Sequence, residues 1–411
     1  MVQKYINMKS LIQYLFEGGA SGHMAHPYDY ADFTLRDLKG LIRNLFMGRI
    51  EDITEKIDGT NIQATMNDSG TVVFIRNQKD LNSEIGGMTI ADMADKWAGK
   101  PRIAQTFLTA GDTITKVFER IGPRFFNPSP DKKLVVNCEC VIAGKTNIIY
   151  YNDSQVDFHN IWVYEKDDDG RWVNTDVTKD GLDVIEKACS DNEHAQITPN
   201  IIIQTQKDAE RIIVEYIKQL DRLFKEAGCR EQSTIDDWKY ERFIKECEEN
   251  EYFDKDFISD STAMHILFNR WFNYDKSINI KKICDSYPSQ AGTIREIEKI
   301  SQDIVKRVMR PLDAFFISLG NAIIDLCDNI LNAENKAVVT KKLRDDLEEA
   351  VTLIQNGDDD KAKDRLLFQL DRLKGEKLNP TEGIVFRYKG KLMKCTGSFA
   401  PLNAILGIQY K

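Results

Sequence analysis

The hydrophobic pattern of this chain changes period twice, and that limits its fold more than any other feature. Residues 51–165 are strand-rich and punctuated by turn residues, residues from roughly 207 to 375 carry three- and four-residue helical spacing, and residues 382–394 are strand-like again. Side chains switch faces at each step along a strand and recur every 3.6 residues on a helix. The order is therefore sheet, helical block, sheet. The predicted fold class is α+β, with antiparallel sheets interrupted by a large α-helical insertion. Residues 1–205 would form the first part of the sheet domain, 206–376 the helical insertion and 377–411 the last part. At 411 residues the chain exceeds the usual size of one hydrophobic core, which agrees with that division.

Particular elements can be placed. Thr34 and Asp37 form a capping-box start for a helix through Leu38, Leu41, Ile42 and Leu45. Thr60 to Arg76 reads as a hairpin, turning on Asn67-Asp68-Ser69-Gly70. From Leu134 to Ile142 the residues Leu134, Val136, Cys138, Cys140 and Ile142 share one face, which leaves Asn137 and Glu139 on the other. A last hairpin pairs Gly383–Tyr388 with Lys391–Thr396 around Lys389-Gly390. Helical spacing joins Ile212, Ile213, Tyr216, Leu220 and Leu223, then Leu343 to Ile354, then Leu366 to Leu373. Ser233-Thr234 begins a helix, Gly228 and Gly375 end helices, and Asp358-Asp359-Asp360 is a solvated connection. Pro311 is expected to end or kink the helix that starts at Ile294.

Composition narrows the class. With 42% apolar and 29% charged residues the chain is an ordinary globular protein. No signal peptide is evident at the N-terminus, and Leu312 to Leu331 is too interrupted by Asp and Asn to cross a membrane. A cytoplasmic protein without membrane contact is expected. Its eight cysteines include no Cys-x-x-Cys pair, so they read as small buried side chains rather than a zinc site. A net charge of −9 disfavours nonspecific coating of nucleic acid but permits a local basic groove, because it averages over all faces. The basic residues Arg295, Lys299, Lys306, Arg307 and Arg310 suit either a solvated helix face or a phosphate contact, and His26 and Tyr28 suit a loop cap.

The string Glu55-Lys56-Ile57-Asp58-Gly59-Thr60-Asn61 taken alone reads as a turn into the hairpin. A chemical reading makes Lys56 a nucleophile, which requires an unprotonated amine and hence burial or cationic neighbours to lower its pKa. The residues downstream favour the second reading. Arg76 follows a strand, Glu139 lies on a strand, and an aromatic segment runs from Phe158 to Tyr164. Glu382-Gly383-Ile384-Val385 and Lys391-Leu392-Met393-Lys394 come near the end.

In that order these residues resemble the motifs of the covalent nucleotidyltransferases, which include DNA ligases, RNA ligases and mRNA capping enzymes. The resemblance implies a nucleotidyltransferase (ATP-grasp-like ligase) domain. It covers about residues 50–165 and 378–397, and leaves the first 45 residues and the helical block without a motif. Asn61, where DNA ligases and capping enzymes carry Arg, is similar to the phage-type RNA ligase 2-like group. An ATP-dependent RNA ligase acting through a lysyl-AMP on Lys56 is therefore expected. Nicked DNA as substrate, a capping-type guanylyltransferase and a scaffolding protein with a vestigial site are the alternatives. The resemblance implies ATP and Mg²⁺ or Mn²⁺ as cofactors and RNA or DNA as partner, and leaves the oligomeric state open.

It also implies roles for single residues. Glu139 and Glu382 would serve the ribose and the metal, and Lys394 the α-phosphate. Glu55, Asp58, Gly59, Asn61 and Arg76 would surround the nucleotide. Either Phe158 or His159 would stack on adenine. The group commonly reads Lys-Cys-Lys where this chain has Lys394-Cys395-Thr396, so a second phosphate lysine is either absent or supplied by Lys391.

Overall fold

The computed structural model describes residues 24–50, 52–99, 101–143, 149–151, 153–272, 278–287, 290, 293–328, 336–338, 381–397 and 399. Mixed helices and antiparallel strands make it an α+β protein. The strands are β1 (Thr54–Lys56), β2 (Thr60–Met66), β3 (Val72–Ile75), β4 (Lys132–Val141), β5 (Ile149–Tyr151), β6 (Gln155–Lys166), β7 (Trp172–Thr178), β8 (Ala195–Ile197), β9 (Ile202–Ile203), β10 (Cys327–Asp328), β11 (Lys336–Val338), β12 (Gly383–Tyr388) and β13 (Lys391–Cys395). The helices are α1 (Leu35–Phe46), α2 (Gln78–Leu81), α3 (Ile90–Lys96), α4 (Pro101–Ile121), α5 (Pro123–Phe126), α6 (Leu182–Cys189), α7 (Ala209–Glu226), α8 (Ile235–Glu248), α9 (Lys255–Ser259), α10 (Ser261–Phe272), α11 (Ile280–Cys284) and α12 (Ile294–Ile324).

The main sheet has the order β3-β2-β4-β6-β7, with β8 added parallel to β6. Its two faces differ sharply. Ile62, Ala64, Phe74, Val136, Cys138, Cys140, Val156, Phe158 and Ile161 pack under α4 and α6 in one core. The alternation of β4 then turns Asn137 and Glu139 to the opposite face, as the sequence pattern predicts. The helix α4, 21 residues long, was not expected, although Phe107, Ala110, Ile114, Val117 and Phe118 carry helical spacing. Strand patterning on both sides of it obscures that signal.

A smaller sheet, β1-β12-β13, joins the two ends of the chain. The turn Lys389-Gly390 has positive φ at both residues (51° and 75°), the geometry that a two-residue hairpin with right-handed twist requires. One core unites Leu38, Leu41 and Leu45 of α1 with α7, α8, α10 and α12 and with Ile384, Phe386 and Met393 of the small sheet. The helical block from 209 to 324 therefore shares its core with the first helix and the last hairpin. Thr34 and Thr234 both make reciprocal capping boxes, with Asp37 and Asp237.

Pro311 does not end its helix: α12 runs continuously from Ile294 to Ile324. A proline inside a helix removes one hydrogen bond and crowds the preceding turn, costing about 3 kcal/mol. Here Ile304, Val308, Leu312, Phe316, Leu319 and Ile323 are all buried on both sides of it, and that burial outweighs the lost bond. No described helix is long and apolar enough to cross a membrane. The expected helices through Leu343–Ile354 and Leu366–Leu373, the Asp358-Asp359-Asp360 connection and the stop at Gly375 lie outside the described residues.

Candidate functional site

Two sheets meet at the turn Ile57-Asp58-Gly59, which carries β1 into β2. Lys56 ends β1 opposite Gly383, and Lys394 lies opposite Val385, so the strand registers put both lysines on one face of the small sheet. Glu382 stands just before β12 and accepts the Lys56 ammonium at 2.6 Å. On the main sheet Asn61 pairs directly with Glu139. The Asn61 amide donates to Asn137 Oδ1 at 2.9 Å and lies 3.4 Å from Glu139 Oε2. Gly59 permits this meeting of sheets. A Cβ there would come within 2.7 Å of the Cys140 carbonyl oxygen and 2.8 Å of Glu139 Cγ.

The electrostatics are mutual. Burial pulls the Lys56 ammonium down, but Glu382, Glu139 and Asp58 more than offset it and hold its pKa above the ordinary lysine value. These carboxylates thus hold the amine protonated, against the lowering expected for a nucleophile. Burial also pushes Glu139 up, to about 8, against the pull of Lys56 and with Glu382 adding to the rise. Lys394, 5% exposed, is brought down to about 8 by burial and by Lys56. Its backbone N–H donates to Ala25, which ties the N-terminal segment to the site.

β6 settles which aromatic residue faces this cluster. Asn137 pairs with Asn160 and Cys138 with Phe158, leaving His159 as the extra residue of a bulge. A bulge re-aims side chains, here turning both His159 and Asn160 to the Glu139 face. Phe158 is fully buried in the opposite core, 6.3 Å from the Phe118 ring, and offers no stacking face to the cluster. His159 is half-buried, and burial with nearby Lys56 and Lys179 lowers it to about 3, so the ring is neutral. Its Nδ1 lies 2.8 Å from Thr198 Oγ1.

Other expected residues are placed differently. Lys391 is not brought to the cluster, because it lies three positions from Lys394 on a strand and so on the opposite face. There it pairs with Asp32 and sits 4.8 Å over the Tyr30 ring. Glu55 likewise faces away from Lys56, opposite Ile384 and buried. Asp58 accepts from the Ile149 N–H at 3.0 Å while its own N–H donates to Tyr151, so it anchors β5 as well as reaching Lys56 electrostatically. Arg76 donates to the Asn61 carbonyl at 2.7 Å and lies over Phe107. Sequence reasoning missed Asp157, which stands opposite Glu139 and accepts from Gln155 and Gln196, each at 2.7 Å. Its alternation with Val156 and Phe158 could have found it.

Among the described residues no three His, Cys, Asp or Glu side chains form a metal cage. Mg²⁺ does not need one, since it keeps several waters and takes one or two carboxylates beside substrate phosphates. Glu139 and Glu382, both in Coulombic reach of Lys56, fit that demand. An open cleft of about 1060 Å³, lined by Asp112, Lys116, Arg120, Glu186 and His194, lies against α4 and α6 on the far side of the main sheet. No known family model matches the chain, and a search of curated proteins finds no match.

Proposed function

We propose that the protein is an ATP-dependent polynucleotide ligase of nucleotidyltransferase fold, acting on RNA ends through a lysyl-AMP intermediate. The observation that carries this reading is the convergence of Lys56, Glu382, Glu139, Asn61 and Lys394 from both ends of the chain. A solvated turn would have no reason to gather two carboxylates and a second, desolvated lysine.

In the first step Lys56 Nζ attacks the α-phosphorus of ATP. The N–P bond forms as the bond to pyrophosphate breaks, and the amine proton has an acceptor in Glu382, 2.6 Å away. Lys394 places positive charge where the phosphoryl oxygens gain negative charge. Glu139 and Glu382 are the residues that would hold a divalent cation, whose charge would weaken their pull on the Lys56 proton and stabilise charge on the phosphate. His159, neutral and on the site face, supplies a flat ring for the base. In the second step an oxygen of the 5′-phosphate attacks the lysyl-AMP, and Lys56 leaves as the amine. In the third, the 3′-hydroxyl attacks that phosphate, forming the phosphodiester and expelling AMP.

The test is covalent labelling. With ATP radiolabelled in its α-phosphate and Mg²⁺ the protein should carry a covalent label, stable to alkali and released by acid as a phosphoramidate is, that Lys56→Ala abolishes. No label with ATP or GTP rejects an enzymatic role, and label from GTP alone supports the capping alternative. Joining assays on nicked and single-stranded RNA and DNA then decide the substrate, for which Asn61 favours RNA.

A further inference from the structure

One cation on the Glu139 face is not used by that chemistry. Lys133 lies six residues before Glu139 on β4, and the alternation puts the two on the same face, about 20 Å apart at the strand's rise. Only 8% of Lys133 is exposed, and no carboxylate among the described residues forms an ion pair with it. Its ammonium rests 5.0 Å from the centre of the Trp172 ring, and Lys166 approaches the same ring at 5.1 Å. Lys166 pairs with Asp131 at 3.7 Å, but that aspartate is 79% exposed and such a pair is weak. Gly86, at φ 75°, carries the neighbouring loop past the ammonium, and a Cβ there would lie 3.1 Å from Lys133 Nζ. Asn82 of the same loop accepts from the Trp172 N–H at 2.9 Å, which fixes loop and strand together.

Keeping a cation largely out of water without an anion is costly, and an aromatic face offsets only part of that cost. Burial accordingly lowers the Lys133 pKa, with Lys166 adding to the fall and Asp68 opposing it. Two ammoniums over one indole make a place for an anion. We propose that Lys133, Lys166 and Trp172 form a phosphate site that holds the backbone of a polynucleotide strand whose end lies at Lys56. The proposal rests on the ligase reading for its occupant. About 20 Å corresponds to roughly six nucleotides at the 3.4 Å rise of a duplex strand, so only a longer strand engages both places.

The experiment measures RNA binding across a salt series for the wild type, Lys133→Gln and Lys133→Arg, using 5′-phosphorylated strands of about 20 and about four nucleotides. Lys133→Gln should weaken the longer strand about three- to tenfold, reduce its salt slope by about one, and leave the short strand unaffected. Lys133→Arg should restore most of the affinity. Equal affinities for the longer strand in wild type and Lys133→Gln would overturn the proposal, as would equal losses for both lengths. In the wild-type protein, the longer RNA should also protect Lys133 from an amine-acylating reagent. Protection by inorganic phosphate but not by RNA would assign the site to a free phosphate and overturn the strand assignment. Lysyl-AMP formation, measured alongside, should be unchanged in Lys133→Gln. Its absence from the wild type would reject the ligase reading, while the binding and protection results still judge this site.

Discussion

Glu139 and Gly59 show how single residues set the terms of this site. The folded protein holds a proton on Glu139 up to about pH 8, whereas the unfolded chain releases it near 4.5. Between those values the native state binds more protons than the unfolded state, so stability falls as pH rises. Below about pH 6.5 the lowered His159 acts with the opposite sign, so urea melts without nucleotide or divalent cation should show declining stability from about pH 6.5 to 8, and Glu139→Gln should remove that decline. A wild-type profile parallel to that of the variant would refute the assignment. Gly59→Ala should cost about 1–3 kcal/mol by pushing β2 from β4, and should lower nucleotide labelling too, since the displaced atoms include Glu139 Cγ. Urea denaturation and the label read these separately. The residues of this cluster were legible in the sequence because their order along the chain is distinctive. Facing along a single strand was legible too, as Glu139 shows, but which strands meet was not, because turn and register decide which faces are brought together.

Among the elements, the long helix α12 carries the clearest case of local preference overruled. Pro311 was expected to end or kink it; the helix does not end there, and six large side chains around the proline are buried in a shared core. Pro311→Ala should restore a backbone hydrogen bond and stabilise the protein by about 1–2 kcal/mol, after allowing for the greater freedom of the unfolded chain. A thermal or urea melt measures it, and a loss of stability would mean that the proline fits its surroundings better than an unbroken helix. β6 presents the opposite case. Its aromatic segment was readable, but the bulge that turns His159 beside Asn160 was not, because a bulge answers to the partner strand.

The whole molecule is held together by long-range burial. The helices from 209 to 324 look like a separable insertion in sequence, but they bury α1, β12 and β13 in one core. Removing 209–324 should therefore leave Leu38, Leu41, Phe386 and Met393 exposed and yield an insoluble chain rather than a smaller folded domain. Soluble, cooperatively folding material would show that the sheets stand alone.

Sequence alone determined the periodic elements, the capped helix starts at Thr34 and Thr234, the two hairpins and the order of the charged residues from Lys56 to Lys394. Each depends on neighbours a few positions away, within the reach of backbone geometry. Tertiary structure decided that Lys56 meets Glu382 across 326 residues of chain, that Lys394 lies with them while Lys391 does not, and that the helical block belongs to the same core as the last hairpin. Those outcomes depend on which faces pack against one another, and burial of apolar area has no address in the sequence until the sheets and helices are assembled.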